Sequence, residues 1–98
     1  MKKEKYGEWI PVAERLPEDL TEVNITWINR EPAPYYSDIK DKPFAGTGVI
    51  YKGIWHWSSV ACVEMLREYG ENRLDEIEEG VDVTAWMPLP EPYREAKE

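Results

Sequence analysis

The prolines decide most of what this chain can become. Pro11 and Pro17 bar a regular helix from the opening segment, Pro32, Pro34 and Pro43 interrupt the middle, and Pro88, Pro90 and Pro92 alternate near the end. Proline lacks an N–H, fixes φ and biases the residue before it towards extended backbone. With 98 residues the chain has room for one hydrophobic core and no second one. A core of that size depends on its largest side chains, here five tryptophans, six tyrosines and one phenylalanine.

Between the prolines the apolar pattern changes period. In Glu22 to Asn29 the residues Val23, Ile25 and Trp27 alternate with Asn24 and Thr26, the two-residue period of a half-buried strand. Thr47 to Ser58 places two apolar runs around Lys52-Gly53, the signature of a β-hairpin, with Trp55 and Trp57 on one face and Ile54 and His56 on the other. Ser58 or Ser59 then caps a helix through Val60, Val63, Leu66 and Tyr69 that ends at Gly70. A short acidic turn follows Asn72, Gly80 stops it, and Val81, Val83 and Ala85 resume a strand. The expected fold class is α+β: one small domain over 1–98, with about four mostly antiparallel strands, one helix at about 59–70 and a short second helical turn. Its ordered core is expected at about 7–92, with flexible ends at Met1 to Tyr6 and Tyr93 to Glu98. Arg30 to Gly46, with three prolines, is expected to be a long loop and a first place to seek a binding site. The stretch AWMPLPEP is expected to be structural: Trp86 ends the last strand, Met87 fills a gap, and the prolines stiffen a tail across the core. Spacing of two rather than three argues against a polyproline ligand. Trp9 and Trp86 are expected to meet inside the molecule, with Leu16 buried beside Trp9.

The two ends of the chain together resemble the family of domains of unknown function numbered 551. The likeness rests on Trp9, Ile10, Val12, Arg15, Leu16 and Pro17 at one end and on Trp86, Met87, Pro88, Leu89, Pro90 and Glu91 at the other. Ala85 stands where that family commonly has a histidine, and 35–46 and 60–80 look like additions to its pattern. The resemblance implies a compact β-rich fold and a phage or prophage setting. It supplies no catalytic residues.

Charge narrows the function classes. Twenty Asp and Glu against twelve Lys and Arg give a net charge of −8, which disfavours direct contact with nucleic-acid phosphates or anionic membranes and favours a partner protein with a basic surface. The lone Cys62 cannot form an internal disulfide, and the absence of a signal peptide or a membrane-length apolar run places the expected protein in the cytoplasm of a bacterial host cell. No cofactor is expected. Nucleophilic catalysis would have to use Cys62 and His56. Cys62 sits among Val60, Val63, Met65 and Leu66 as a small buried hydrophobe, although a helix N-terminus would lower its pKa, and His56 reads as a half-exposed strand residue. One His and one Cys make no closed zinc site, and a carboxylate-only magnesium site in Glu71 to Asp82 is outweighed by a solvated face, so no metal is expected. The expectation is a non-enzyme.

Two surfaces remain as binding candidates. Glu71, Asp75, Glu76, Glu78, Glu79 and Asp82 form an acidic patch able to mimic phosphates towards a basic groove. Tyr35, Tyr36, Trp55 and Trp57, with Arg15 and Arg30 for a phosphate, could stack a base in a pocket, between subunits if the chain forms a homo-oligomer. The first predicts a stoichiometric inhibitor of a host defence or nucleic-acid-handling protein. The second predicts a sponge for a nucleotide immune signal, and a Cys62-dependent enzyme stands as a third reading.

Overall fold

The computed structural model describes residues 7–96. Met1 to Tyr6 and residues 97–98 lie outside the described residues, and with them most of the expectation of flexible ends; Tyr93 to residue 96 are exposed and without regular structure.

The chain forms a single five-stranded antiparallel sheet in the order β1-β5-β2-β3-β4, built from β1 (Ile10–Pro11), β2 (Val23–Asn29), β3 (Pro43–Tyr51), β4 (Ile54–Trp57) and β5 (Val81–Pro88). One α-helix, α1 (Val60–Tyr69), follows β4, with short 3-10 helices at Pro34–Ile39 and Arg73–Asp75. The strand count exceeds the expected four because the two-residue β1 pairs with β5 at the sheet edge. Pro11 is tolerated there because an edge strand has one side free of ladder bonds.

Strand β2 lies at the centre of the sheet, and its alternation sets the register of its neighbours. Val23 and Ile25 are buried and stand opposite Gly48 and Gly46 of β3; Ile25 also stands opposite Trp86 of β5, which in turn faces Ile10 of β1. Ile10, Val23, Ile25 and Trp86 form one core cluster, against which Val12, Trp27, Trp55, Trp57, Ile77 and Val83 pack. Between Thr26 and Trp27 the register with β5 slips. The extra residue, Thr84, lies beside Thr26, their hydroxyls 2.6 Å apart, as in a β-bulge.

The opposite face carries α1. Val49 of β3, Cys62 and Leu66 form a second buried cluster, joined by Leu20, Tyr51 and Val63. Ser59 caps the helix, its hydroxyl accepting the Cys62 N–H at 3.0 Å, and Gly70 ends it at φ 78°, the left-handed position that glycine adopts without steric cost. Lys52 and Gly53 both take positive φ in the β3–β4 turn, the backbone of a tight hairpin.

Three expectations require correction. Arg30 to Gly46 is not a long loop: it holds a 3-10 helix, and Pro43 already begins β3, where Phe44 and Ala45 stand opposite Trp27 and Thr26. Pairing with β2 supplies what local composition withheld. Trp9 does not meet Trp86: it is 42% exposed, Leu16 is 50% exposed, and Ile10 takes the buried position. Ile10 begins β1 opposite Trp86, and Trp9, which precedes the strand, is left partly at the surface. The proline tail does not cross the core either, because β5 itself runs through Pro88 and Leu89 onward is exposed. Met87 is half-buried, and its sulfur accepts the Gly7 N–H at 3.2 Å.

Candidate functional site

The acidic segment between α1 and β5 is mostly irregular, because Gly70 ends the helix and three residues of 3-10 turn are all the regular structure that follows. Its carboxylates divide into those used by the fold and those left at the surface. Asp75 is half-buried and accepts the Asn72 side-chain amide at 2.6 Å. Glu76 is half-buried, and its backbone bridges to His56 on the edge of β4, while the next residue, Ile77, donates its N–H to the Trp55 carbonyl at 3.0 Å. Glu78 accepts the Trp57 indole N–H at 2.8 Å. Asp82 accepts from Arg30 at 3.2 Å, and Arg30 also reaches Asp41 at 3.3 Å. These two carboxylates raise the pKa of Arg30, Asp82 contributing most. Glu71 lies 3.8 Å from Arg73 in an exposed pair, and Glu79 is exposed with no side-chain partner among the described residues. All six acidic residues lie in one segment, but only Glu71, Glu78, Glu79 and Asp82 are exposed. The short helical turn expected after Asn72 is present at Arg73–Asp75, and the chain beyond it covers the edge of β4.

The four aromatic candidates fall into two groups. Tyr35 and Tyr36 are exposed on the first 3-10 helix and pack on each other at 4.6 Å between ring centroids. Trp55 and Trp57 are half-buried against the core, and Trp57 meets Trp27 edge-on at 5.4 Å. Trp27 in turn stacks on Phe44 at 5.0 Å, the residue opposite it on β3. No ring contact links the tyrosine pair to Trp55 or Trp57 among the described residues. Arg15 contributes its backbone carbonyl to Trp86 and places its guanidinium 3.7 Å from Glu14, while Arg30 is held by its two carboxylates.

His56 is only 2% exposed, which corrects its reading as a half-exposed residue. It stands opposite Val49, on the side of the sheet that α1 covers, and Glu76 closes the edge beside it. Its Nδ1 is buried without a hydrogen-bond partner, and so is Oδ1 of Asn72. Cys62 is fully buried. Burial pushes its thiol pKa up, the Asn72 side chain opposes this, and the charge of Asp75 adds to it. Desolvation thus overrides the helix N-terminus that would otherwise favour a thiolate. Among the described residues no three His, Cys, Asp or Glu side chains converge on a metal position, and no helix is long and apolar enough to cross a membrane.

A family model described as "Protein of unknown function (DUF551)" matches residues 8–93, most of the chain, and runs through both 35–46 and 60–80. No curated protein and no solved structure matches.

Proposed function

We propose that this chain, which belongs to the DUF551 family, acts by stoichiometric binding rather than catalysis, presenting the exposed carboxylates of 71–82 to a basic protein surface. The observation that carries this reading is the net charge of −8 combined with a loop that leaves Glu71, Glu78, Glu79 and Asp82 at the surface. Like charges on an exposed segment attract a basic partner over roughly a Debye length, about 8 Å at physiological salt. A partner that handles nucleic acid, or a host defence protein met by a phage or prophage product in the bacterial cytoplasm, has the matching basic groove. The buried, protonated Cys62 supports a binding role over the thiol-dependent alternative, because the thiolate is the nucleophile.

Glu71 and Glu79 are the positions at which to test the surface. Glu78 and Asp82 are tied to Trp57 and Arg30, and Glu76 lies against His56. Proteins captured from a bacterial lysate by the native chain should elute as salt is raised and should be lost with Glu71→Lys/Glu79→Lys, whose amide spectrum should otherwise match the native one. Capture that survives both the double reversal and salt would refute the acidic-surface reading. The rival reading of a nucleotide sponge retains one support in the exposed Tyr35–Tyr36 pair, and a nucleotide that raises the melting temperature of the native chain but not of Tyr35→Ala would favour it.

A further inference from the structure

The β3–β4 turn, the C-terminal end of α1 and the chain just beyond it enclose a groove of about 380 Å³. That volume falls at the low end of small-molecule sites, roughly 300–1,000 Å³. Its apolar wall is Ile54, 48% exposed, and the half-buried Tyr51, backed by the fully buried Leu66. Charge of both signs surrounds this wall, with cations from Lys52 and Arg73 and carboxylates from Glu71 and Glu76. His56 also lines the groove, buried and with Nδ1 unpartnered. An unpaired polar atom in that setting is costly unless something else supplies the partner.

The geometry points to a binding site for a small zwitterion with an apolar side chain, of the size of a dipeptide. A purely anionic ligand would meet Glu71 and Glu76, and a purely cationic one would meet Lys52 and Arg73, whereas a molecule carrying both charges pairs with each set. The internal partners of these groups are weak enough to be exchanged. Arg73 and Glu71 are 3.8 Å apart on an exposed rim, the Lys52 ammonium lies 5.3 Å from the Tyr51 ring centroid, and the Glu76 side chain has no ion pair among the described residues. The apolar part of the ligand covers Ile54 and the accessible part of Tyr51, with the buried Leu66 behind them. This site shares Glu71 with the acidic surface of the proposed function and does not include Glu79.

Glycyl-L-leucine, N-acetyl-glycyl-L-leucine and glycyl-L-leucinamide present the same apolar group with both charges, only the negative one, and only the positive one. Titrated into the native chain and followed by backbone amide shifts, the free dipeptide should give saturable shifts at Lys52, Gly70 and Glu71. Each blocked form should bind roughly tenfold more weakly or worse. Lys52→Gln and Glu76→Gln should each weaken the free dipeptide by a comparable factor while keeping the native amide spectrum, and Glu79→Lys should leave its affinity unchanged. Equal affinity for all three compounds would reduce the groove to a non-specific apolar contact and overturn the assignment. So would shifts located elsewhere, no shifts at all, binding retained in both glutamine variants, or adenosine monophosphate moving the same amides at lower concentration than the dipeptide.

Discussion

The indole N–H of Trp86 donates to the backbone carbonyl of Arg15 at 2.9 Å, across 71 residues of sequence. This bond ties the end of the chain to its beginning, and the ring that makes it is only 3% exposed in the main core cluster. Trp86→Ala should cost about 3–5 kcal/mol through the cavity it leaves. Trp86→Phe, which keeps the six-membered ring and loses the donor, should cost less, with about 0.5–1.5 kcal/mol arising from the lost, part-buried hydrogen bond. Urea unfolding of both variants beside Trp9→Ala would check the ranking. The half-exposed Trp9 should matter least, and an equal loss at Trp9 would contradict the register found here.

Gly48 is required by space rather than by backbone conformation. A methyl group at this position would lie 2.9 Å from Cδ1 of Ile25 and 3.3 Å from the His56 carbonyl oxygen. Ile25 is fully buried, so moving its Cδ1 aside requires the neighbouring core side chains to repack. Gly48→Ala should therefore destabilise by about 1–3 kcal/mol, as overpacking does, whereas Gly46→Ala, with nothing nearer than 3.5 Å, should be tolerated much better. Chemical denaturation of the two variants side by side is the measurement.

Cys62 sets an alkaline limit on stability. Its folded pKa is raised by burial, so between the unfolded value, about 8.5, and the higher folded one the unfolded chain binds fewer protons and stability falls as pH rises. The contribution is intact below about pH 8.5 and is lost as pH climbs through the folded value. Cys62→Ala should lower stability at neutral pH and flatten this alkaline slope. A thiol reagent should label native Cys62 slowly at neutral pH and quickly in denaturant; rapid native labelling would revive the thiol-dependent reading.

Ser59 carries the N-cap of α1 through its bond to the Cys62 N–H. Ser59→Ala should cost about 1 kcal/mol, equivalent to a drop of roughly 4–8 °C in melting temperature for a domain of this size. Ser59→Asp should restore most of it, since a carboxylate caps the same donors and suits the positive end of the helix dipole. Thermal melts of both variants test the cap.

Features set by near neighbours in the chain were legible from residues alone. The alternation of Val23, Ile25 and Trp27 marks β2, the turn at Lys52-Gly53 marks the hairpin, and Ser59 and Gly70 bound the helix, because dihedral preferences, caps and periodicity act within a few residues. The terminal tryptophan motifs likewise led to the right family. Tertiary structure alone decided which strands pair. Inserting β5 between β1 and β2 gives the buried position to Ile10 instead of Trp9, and drawing Pro43 to Ala45 onto β2 makes a strand where composition suggests a loop. Only the fold, too, buries His56 beneath the Glu76 edge and commits Glu78 and Asp82 to Trp57 and Arg30. Strand alternation leaves the choice of buried face open until a partner strand fixes the register, and a charged side chain's role depends on which distant donor the fold brings beside it.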